Sequence, residues 1–497
     1  MLLIPSFARP LLDQFAPVFL QPTCQRFLVL LVAAILTTGR RTVSNLLRTV
    51  PGLAPGDPSS YHRVFSKRRW SSLRLARLLV GFILDHFVAD GPVSLAGDDT
   101  VAEHRGAKVH GKGCHRDPVR STHSFTAYRW GHKWVVLTIL VKFPFAVRPW
   151  ALPVLVALYR CAGKVPAKTQ AKKVKDMART RAKRRASRKV SASGSKRRHK
   201  TPSELMRQLL AVLIHWFPDR QFVFAGDGGY GTHALALFAH RHQRHLALVS
   251  LFYPDANLYD PPPEVVGKRN GRPRKKGEKR PSPEAVVAAT SGRTALEVAW
   301  YGGGRRDVET VAGTGPWYKG GEGLVPVSWV FVRDRTGTHR DSYLFSTDLA
   351  LTPQQVIETY TGRWSIETTF QEMRAYLGLE TTRGWKERTV LRAAPCLFGL
   401  YSVVALLYAG LPSETGREAE VTYRGKTEMA FSDAITAVRR RLWLEGVFVS
   451  RARVRPRCLR TSRVPSRPSC WRPWHRLRRP RCRPHNELLK TAEAELR

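Results

Sequence analysis

Tyr360, Arg363, Glu367 and Arg374 follow one another at intervals of three, four and seven residues. On a helix of 3.6 residues per turn that spacing gathers all four into one stripe. A carboxylate between two guanidiniums suits a site in which Glu367 binds a metal ion and the arginines clamp the phosphates that the ion activates. The plain structural alternative is a surface ion pair between Arg363 and Glu367, four residues apart. Two more acidic sites stand where apolar segments end. Pro92-Val93-Ser94-Leu95-Ala96-Gly97 runs into Asp98-Asp99-Thr100, and Gln221-Phe222-Val223-Phe224-Ala225-Gly226 runs into Asp227-Gly228-Gly229-Tyr230. Strand ends of an open α/β sheet are where sites are built. Hard cations such as Mg²⁺ take oxygen ligands and keep water, so three carboxylates from two strands and one helix suffice for a two-metal site. If the first strand continues through Asp98 and Asp99 they point to opposite faces, and only one is a primary ligand.

These side chains need elements to hold them. Leu351–Gly378 reads as one helix, with Thr352 as N-cap, Pro353 at the first helical position and Gly378 as the stop. Its Ile366, Phe370, Met373 and Leu377 form a narrow apolar stripe that belongs in a core. Upstream, β-branched runs at Val93–Ala96, Trp134–Val141, Gln221–Ala225 and His245–Leu251 alternate with helices at Ser203–Trp216 and after His233, the pattern of an α/β domain. Residues 91–260 are its first part. Residues 261–350 read as a β-rich insertion, with strands at Arg293–Tyr301, Val308–Ala312, Val325–Arg333 and Asp341–Ser346. Residues 351–448 carry the catalytic helix and further helices, and residues 1–90 a helical domain with stretches at Phe27–Leu36, Tyr61–Trp70 and Leu73–Val88. Within the last domain, Lys67-Arg68-Arg69-Trp70 could dock on phosphates or end a solvated helix.

Charge narrows the partner. The 497 residues hold 83 Lys and Arg against 38 Asp and Glu, a formal net charge of +45. That excess exceeds what solubility requires and points to a polyanion. Its spread through the chain, instead of along one amphipathic face, favours nucleic acid over a membrane surface. Gly163–Thr201 holds sixteen Lys or Arg and one acid, Asp176. It is expected to be disordered or a lone solvated helix, and to serve as a charged loop or a DNA-contacting arm. Pro261–Pro283 is a second basic loop. Arg451–Arg483 holds thirteen Arg and no acid, so residues 449–497 read as a disordered Arg/Pro-rich tail, native or frameshifted. Seven Cys without a C-x-x-C pair indicate a reducing compartment. The N-terminus lacks the marks of a signal peptide, and the apolar runs Phe27–Leu36 and Leu397–Leu411 are too short to span a bilayer, so a cytoplasmic location is expected.

The run Tyr360-x2-Arg363-x3-Glu367-x6-Arg374 resembles the Y-(2)-R-(3)-E-(6)-K signature of insertion-sequence transposases in the DDE superfamily. The first aspartate of that group is directly followed by Thr, which points to Asp99, and the second ends an apolar strand, as Asp227 does. The resemblance covers roughly Val93 to Trp385. Arg374 stands in the place of the signature's lysine, and the two cations are not equivalent at phosphates. What the resemblance implies is a ribonuclease H-like fold and Mg²⁺, with Mn²⁺ as a substitute, held by Asp99, Asp227 and Glu367 as catalytic residues. Tyr360, Arg363 and Arg374 would hold phosphates and the DNA end. It also implies nicking at the ends of a mobile element, strand transfer by the freed 3′-hydroxyl, double-stranded DNA as partner at element ends and target, a homodimeric synaptic complex and a nucleoid-associated location. Trp300, Trp317 and Trp329 of the insertion would either fill the core or stack on an unpaired base.

Other readings compete. Gly226-Asp227-Gly228-Gly229-Tyr230-Gly231 satisfies G-x-G-x-x-G between a strand and a helix, with Asp255 at a distance suited to a ribose, as in dinucleotide-dependent enzymes. Such a site would not explain the net charge or the Tyr360–Arg374 run. A catalytically decayed, DNA-binding remnant of a transposase is the second alternative. His104, His110, Cys114, His115 and His123 match no familiar zinc spacing.

Overall fold

The computed structural model describes residues 5–117, 120–161, 199–263, 274–412, 426 and 428–453. Most of the basic segment 163–201, the centre of the loop 261–283 and the tail beyond residue 453 lie outside the described residues. The chain divides into two units, Met1–Phe448 and Val449–Arg497, and the sheet and the acidic residues belong to the first.

Four strands open the sheet: β1 (Val93–Glu103), β2 (Gly113–Arg116), β3 (Tyr128–Val141) and β4 (Trp150–Tyr159). β3 pairs antiparallel with β1 on one edge and with β2 and β4, end to end, on the other. β5 (Phe222–Gly226) lies parallel to β1, and β6 (Leu246–Leu251) parallel to β5. The order β4-β3-β1-β5-β6, antiparallel then parallel, is the mixed ribonuclease H-like arrangement expected from the sequence. β7 (Thr294–Ala299), β8 (Arg305–Lys319), β9 (Gly323–Asp334) and β10 (Ser342–Ser346) are the strands of the β-rich insertion. They continue the same sheet, because β10 pairs antiparallel with β6 and passes the ladder through β9 and β8 to β7. Among the described residues β1, β5 and β6 are the strands that pair in parallel and the other pairings are antiparallel, unlike the doubly wound parallel sheet of a dinucleotide-binding fold.

The structure corrects several strand expectations: β2 is not among the expected strands, and β8 runs from Arg305 to Lys319 where Val308–Ala312 is expected. β1 runs seven residues past Ala96, to Glu103, and so carries both Asp98 and Asp99. β4 has no counterpart among the expected strands: it is a continuous apolar run interrupted by Pro153, without the alternation that marks a half-exposed strand. Pro153 sits at a register shift opposite Thr138, where a missing backbone N–H costs no ladder bond.

The first helices are α1 (Gln21–Leu36), α2 (Val43–Thr49), α3 (Pro58–Ser66) and α4 (Ser72–Phe87). α5 (Pro202–Trp216) leads into β5, and α6 (His233–Arg241) joins β5 to β6. A short α7 (Pro283–Ala289) precedes β7. The segment expected as one helix from Leu351 to Gly378 is instead two, α8 (Pro353–Gly362) and α9 (Ser365–Tyr376). Thr352 and Gln355 close the capping box of α8 as the sequence indicates. At the joint the amides of Arg363, Trp364 and Ile366 bond back three residues, so the chain tightens by a turn of 3₁₀ type. Then come α10 (Glu387–Ala409) and α11 (Phe431–Arg453).

One continuous apolar core joins α1 and α4 to the sheet and to α9, α10 and α11. The run at Leu397–Leu411, expected to be too short to span a bilayer, is the end of the 23-residue α10, which by length and composition could cross a membrane. In this fold 67% of its most apolar stretch is buried against protein. Its Ser402 hydroxyl donates to the Pro153 carbonyl of β4 at 2.8 Å, which fixes it as a core helix.

Candidate active site

Register brings the first two acids together. β1 and β5 pair Gly97 with Gly226, so Asp98 and Asp227 are the next residues on neighbouring parallel strands. Beyond Gly226 the chain turns sharply: the Asp227 carboxylate accepts from the Gly229 amide at 3.0 Å, and its carbonyl accepts from Ser250 Oγ at 2.8 Å. Gly231 must be glycine here, since a Cβ would stand 2.5 Å from the Leu251 carbonyl. The glycines of the apparent dinucleotide fingerprint therefore serve close packing of this turn.

α9 brings the third acid. Ile366, Phe370, Met373 and Leu377 are all buried, as their spacing predicts. Thr369 donates to the Ala151 carbonyl at 3.0 Å and pins the helix on β4. Arg41 fixes its far end, donating to the Tyr376 carbonyl and to Ala34 at the end of α1. With the helix so held, Arg363 reaches both ways. Its Nη1 donates to Asp98 at 3.5 Å and its Nη2 to Glu367 at 3.4 Å. The ion pair is therefore not on the surface: the Arg363 side chain is 8% exposed, against 41% for Glu367.

Electrostatics follow from this crowding. Burial, then the charge of Asp227, pushes the Asp98 carboxyl up to about 7, against the pull of Arg363. Burial also raises Asp227, with Arg363 opposing and Asp99 adding to the rise. Arg363 is held above its ordinary value: burial works against its charge, and Asp98, Tyr360, Glu367 and Asp227 together outweigh it. Tyr230, on the turn after Asp227, is fully buried and its hydroxyl finds no hydrogen-bond partner among the described residues. Burial and then the charges of Asp99, Asp98 and Asp227 hold that phenol well above its usual range.

Strand alternation separates the adjacent aspartates. Asp98 takes the side that faces Arg363, whereas Asp99 is bound by Lys133 Nζ of β3 at 2.8 Å. Asp99 remains near enough for its charge to bear on Asp98 and Asp227. The carboxylate that shares a guanidinium with Glu367 is thus Asp98, not the Asp99 chosen from sequence. Arg374 lies off the cluster: it donates to Thr100 Oγ1 and pairs with Glu380 at 3.5 Å. Tyr360 is not on a polar face either. It is buried among Val249, Val330, Val356 and other apolar side chains, with the Arg363 guanidinium 5.5 Å from its ring centroid. Because of the break between α8 and α9, the four residues of the motif do not form the single stripe expected. Trp317 and Trp329 are buried in the core, while Trp300 is half-buried and packs edge-on against Tyr301 and His339.

The sequence alone does not single out Tyr230, Lys133 or Tyr301, whose phenol is pushed up by burial, with Arg363 opposing and Glu367 adding to the rise. Lys133 was findable in principle, since it lies opposite Val101, a diagonal neighbour of Asp99 on the same face, once the β1–β3 register is known.

The donor set suits a hard divalent cation, and Asp98 and Asp227 are raised first by burial and further by neighbouring carboxylates, with Arg363 opposing. Among the described residues no three His, Cys, Asp or Glu side chains converge closely enough to hold an ion as they stand. The Arg363 guanidinium stands between Asp98 and Glu367, and the half-exposed Glu367 has room to swing. Among the described residues the histidines and cysteine between 104 and 123 form no metal-holding group either, with His110 against Glu387, His115 against Cys161 and His104 edge-on to His132. An apolar cavity of about 850 Å³, lined by Phe27, Leu31, Leu79 and Leu397 among others, lies between the first helices, β4 and α10. It contains none of the acids, so its size says nothing about the chemistry.

A mixed sheet that sets two aspartates side by side, with a glutamate on a helix near them, is the arrangement that the DDE resemblance leads one to expect. Residues 14–307, more than half of the chain, match the family of DDE superfamily endonucleases, and the chain belongs to it. Residues 325–397, which include Glu367, match the archaeal ISC1217 transposase family. A solved structure, the piggyBac transposase synaptic complex with hairpin DNA, is similar over 88% of this chain and 74% of that one, with 12% identity and a TM-score of 0.37. No curated protein matches the chain.

Proposed function

We propose that this endonuclease is a transposase that binds the ends of a mobile DNA element, cuts them and joins them to a target. Asp98, Asp227 and Glu367 would hold Mg²⁺, with Mn²⁺ as a substitute. The bound ions would activate the attacking water or 3′-hydroxyl and stabilise the leaving oxygen. Arg363 opposes the burial that raises Asp98, favouring its ionised form, and would be placed to meet the phosphate beside these carboxylates. Tyr360 supports that guanidinium from below. Arg374 would act on the DNA end from beside Thr100, one residue beyond the aspartate pair. Asp99, paired with Lys133, tunes the field at Asp227.

The observation that carries this reading is the bridge of Arg363 between Asp98 and Glu367, with Asp227 alongside by strand register. The test is Mg²⁺-dependent cleavage of a duplex carrying the element's ends. Asp227→Ala, Glu367→Ala and Asp98→Ala should each abolish cutting while DNA binding persists, and Asp99→Ala should retain part of the rate. Loss in Asp99→Ala with full activity in Asp98→Ala would return the first position to Asp99. Binding without cleavage by the unaltered protein would mean a decayed, DNA-binding remnant. A dimeric synapse with double-stranded DNA is part of the same proposal, and sedimentation of the complex with paired ends tests it.

A further inference from the structure

The ribbon of β2 and β3 carries aromatic rings that the core does not use. Phe125, Tyr128, Trp130 and Trp385 are each more than half exposed. Cross-strand pairing sets Arg116 opposite Tyr128 and Cys114 opposite Trp130, all four exposed on the outward face of the ribbon, while His115 turns inward. The Lys112 ammonium lies 5.4 Å from the Trp130 ring, and Lys386 the same distance from Trp385. The His110 amide donates to the Trp385 carbonyl at 2.9 Å, which ties the second aromatic–lysine pair to the loop bearing the first. The carboxylates of this region are already matched: Glu103 by Arg105 and Arg129, Asp117 by Arg129 and Arg120, and Glu387 by Arg160. Among the described residues Lys112, Arg116 and Lys386 have no carboxylate partner, so the patch is both aromatic and cationic.

We propose that this face is a stacking platform for unpaired DNA beside the cutting site. Exposed rings interleaved with cations bind single strands, the rings taking base faces and the cations taking phosphates. Tyr128 and Trp130 project from one side of β3 roughly 7 Å apart. That is about twice the 3.4 Å rise of stacked bases in a duplex strand, so seating bases on both rings requires a strand whose stack has opened. β3 also reaches the acids: Val136 pairs with Asp98, and by the period of two it shares its side of the strand with Trp130, roughly 20 Å away. His132, Trp134 and Val136 on that side are buried, so a strand held by the platform would reach the carboxylates only by passing around this covered stretch. The proposal rests on the endonuclease reading for its relevance, but not for its test.

The test uses the full chain and fluorescence anisotropy at one fixed salt concentration. The probes are oligo-dT, a duplex with a single-stranded overhang and the same duplex blunt. Trp130→Ala should weaken oligo-dT and the overhang about tenfold and leave the blunt duplex unchanged, whereas Trp130→Phe should keep most of the affinity. Tyr128→Ala and Trp385→Ala should each give a smaller loss of the same kind. An equal loss on all probes, or none, overturns the platform. So does a shift in sedimentation with no change in DNA binding, which would make the face a contact between copies. Mg²⁺-dependent cleavage is read in parallel. Absence of cleavage with the overhang preference intact would sink the nuclease reading and leave the platform, and cleavage without the preference would do the reverse.

Discussion

Arg363 concentrates the electrostatics of the site in one side chain. Without the guanidinium the Asp98 carboxyl rises further above about 7 and takes up a proton, while Glu367 rehydrates, so neither is left as a stranded charge. Arg363→Met should therefore lower the melting temperature by no more than a few degrees in a metal chelator. Millimolar Mg²⁺ should then restore more stability to the variant than it adds to the parent. Equal Mg²⁺ responses in the two proteins would argue against a metal at these carboxylates. Tyr230 offers the opposite case. A buried hydroxyl with no partner costs about 1–3 kcal/mol, so Tyr230→Phe should melt at the same temperature or higher without metal. A lower value would mean that the hydroxyl has a partner in solution.

At the scale of elements, the turn between β5 and α6 sets the position of Asp227. Gly231→Ala forces a Cβ toward the Leu251 carbonyl, and such overpacking costs about 1–3 kcal/mol. Cleavage should fall further than stability, because the displaced turn carries the aspartate. Comparison of thermal midpoints with single-turnover rates would separate the two. The base of the β2–β3 ribbon responds to pH. Burial pushes His132 down to about 4, with its Nε2 hydrogen-bonded to the His110 carbonyl, and His104 and His115 shift the same way. In the unfolded chain these imidazoles take up protons near 6.5, so between that value and about 4 the unfolded state binds more of them. Stability should accordingly fall as pH drops through this window. His132→Phe should flatten the dependence, and an unchanged slope in thermal melts from pH 7 to 4 would show that His132 is not buried as described.

For the whole molecule the dominant quantity is charge. With a net +45, affinity for DNA should fall steeply with salt, each neutralised phosphate adding nearly one unit to the log–log slope. A chain ending at Arg453 lacks the Arg/Pro-rich tail. It should bind with a shallower slope and cut at the parent rate, because no carboxylate of the site lies beyond residue 453. A cleavage rate lost on truncation would give the tail a role in assembly.

The sequence by itself determined which residue types could do the chemistry and which elements surround them. The apolar stripe of α9, the capping box of α8 and the apolar runs that lead into Asp98 and Asp227 are all local patterns, set by helix and strand periods that need no partner. The DDE superfamily was also legible, from acids that follow apolar runs and a third acid on a later helix, in one chain order. Tertiary structure decided the rest. Whether Asp98 or Asp99 faces Glu367 depends on how far β1 extends and on which side α9 packs, and a period of two makes a one-residue difference a change of face. The break at Arg363, the burial of Tyr360 and the turning of Arg374 to Thr100 follow from packing against β1, β4 and β7, which adjacent residues do not encode. β4 was hidden for the same reason: a strand buried on both faces loses the alternation by which a sequence announces it.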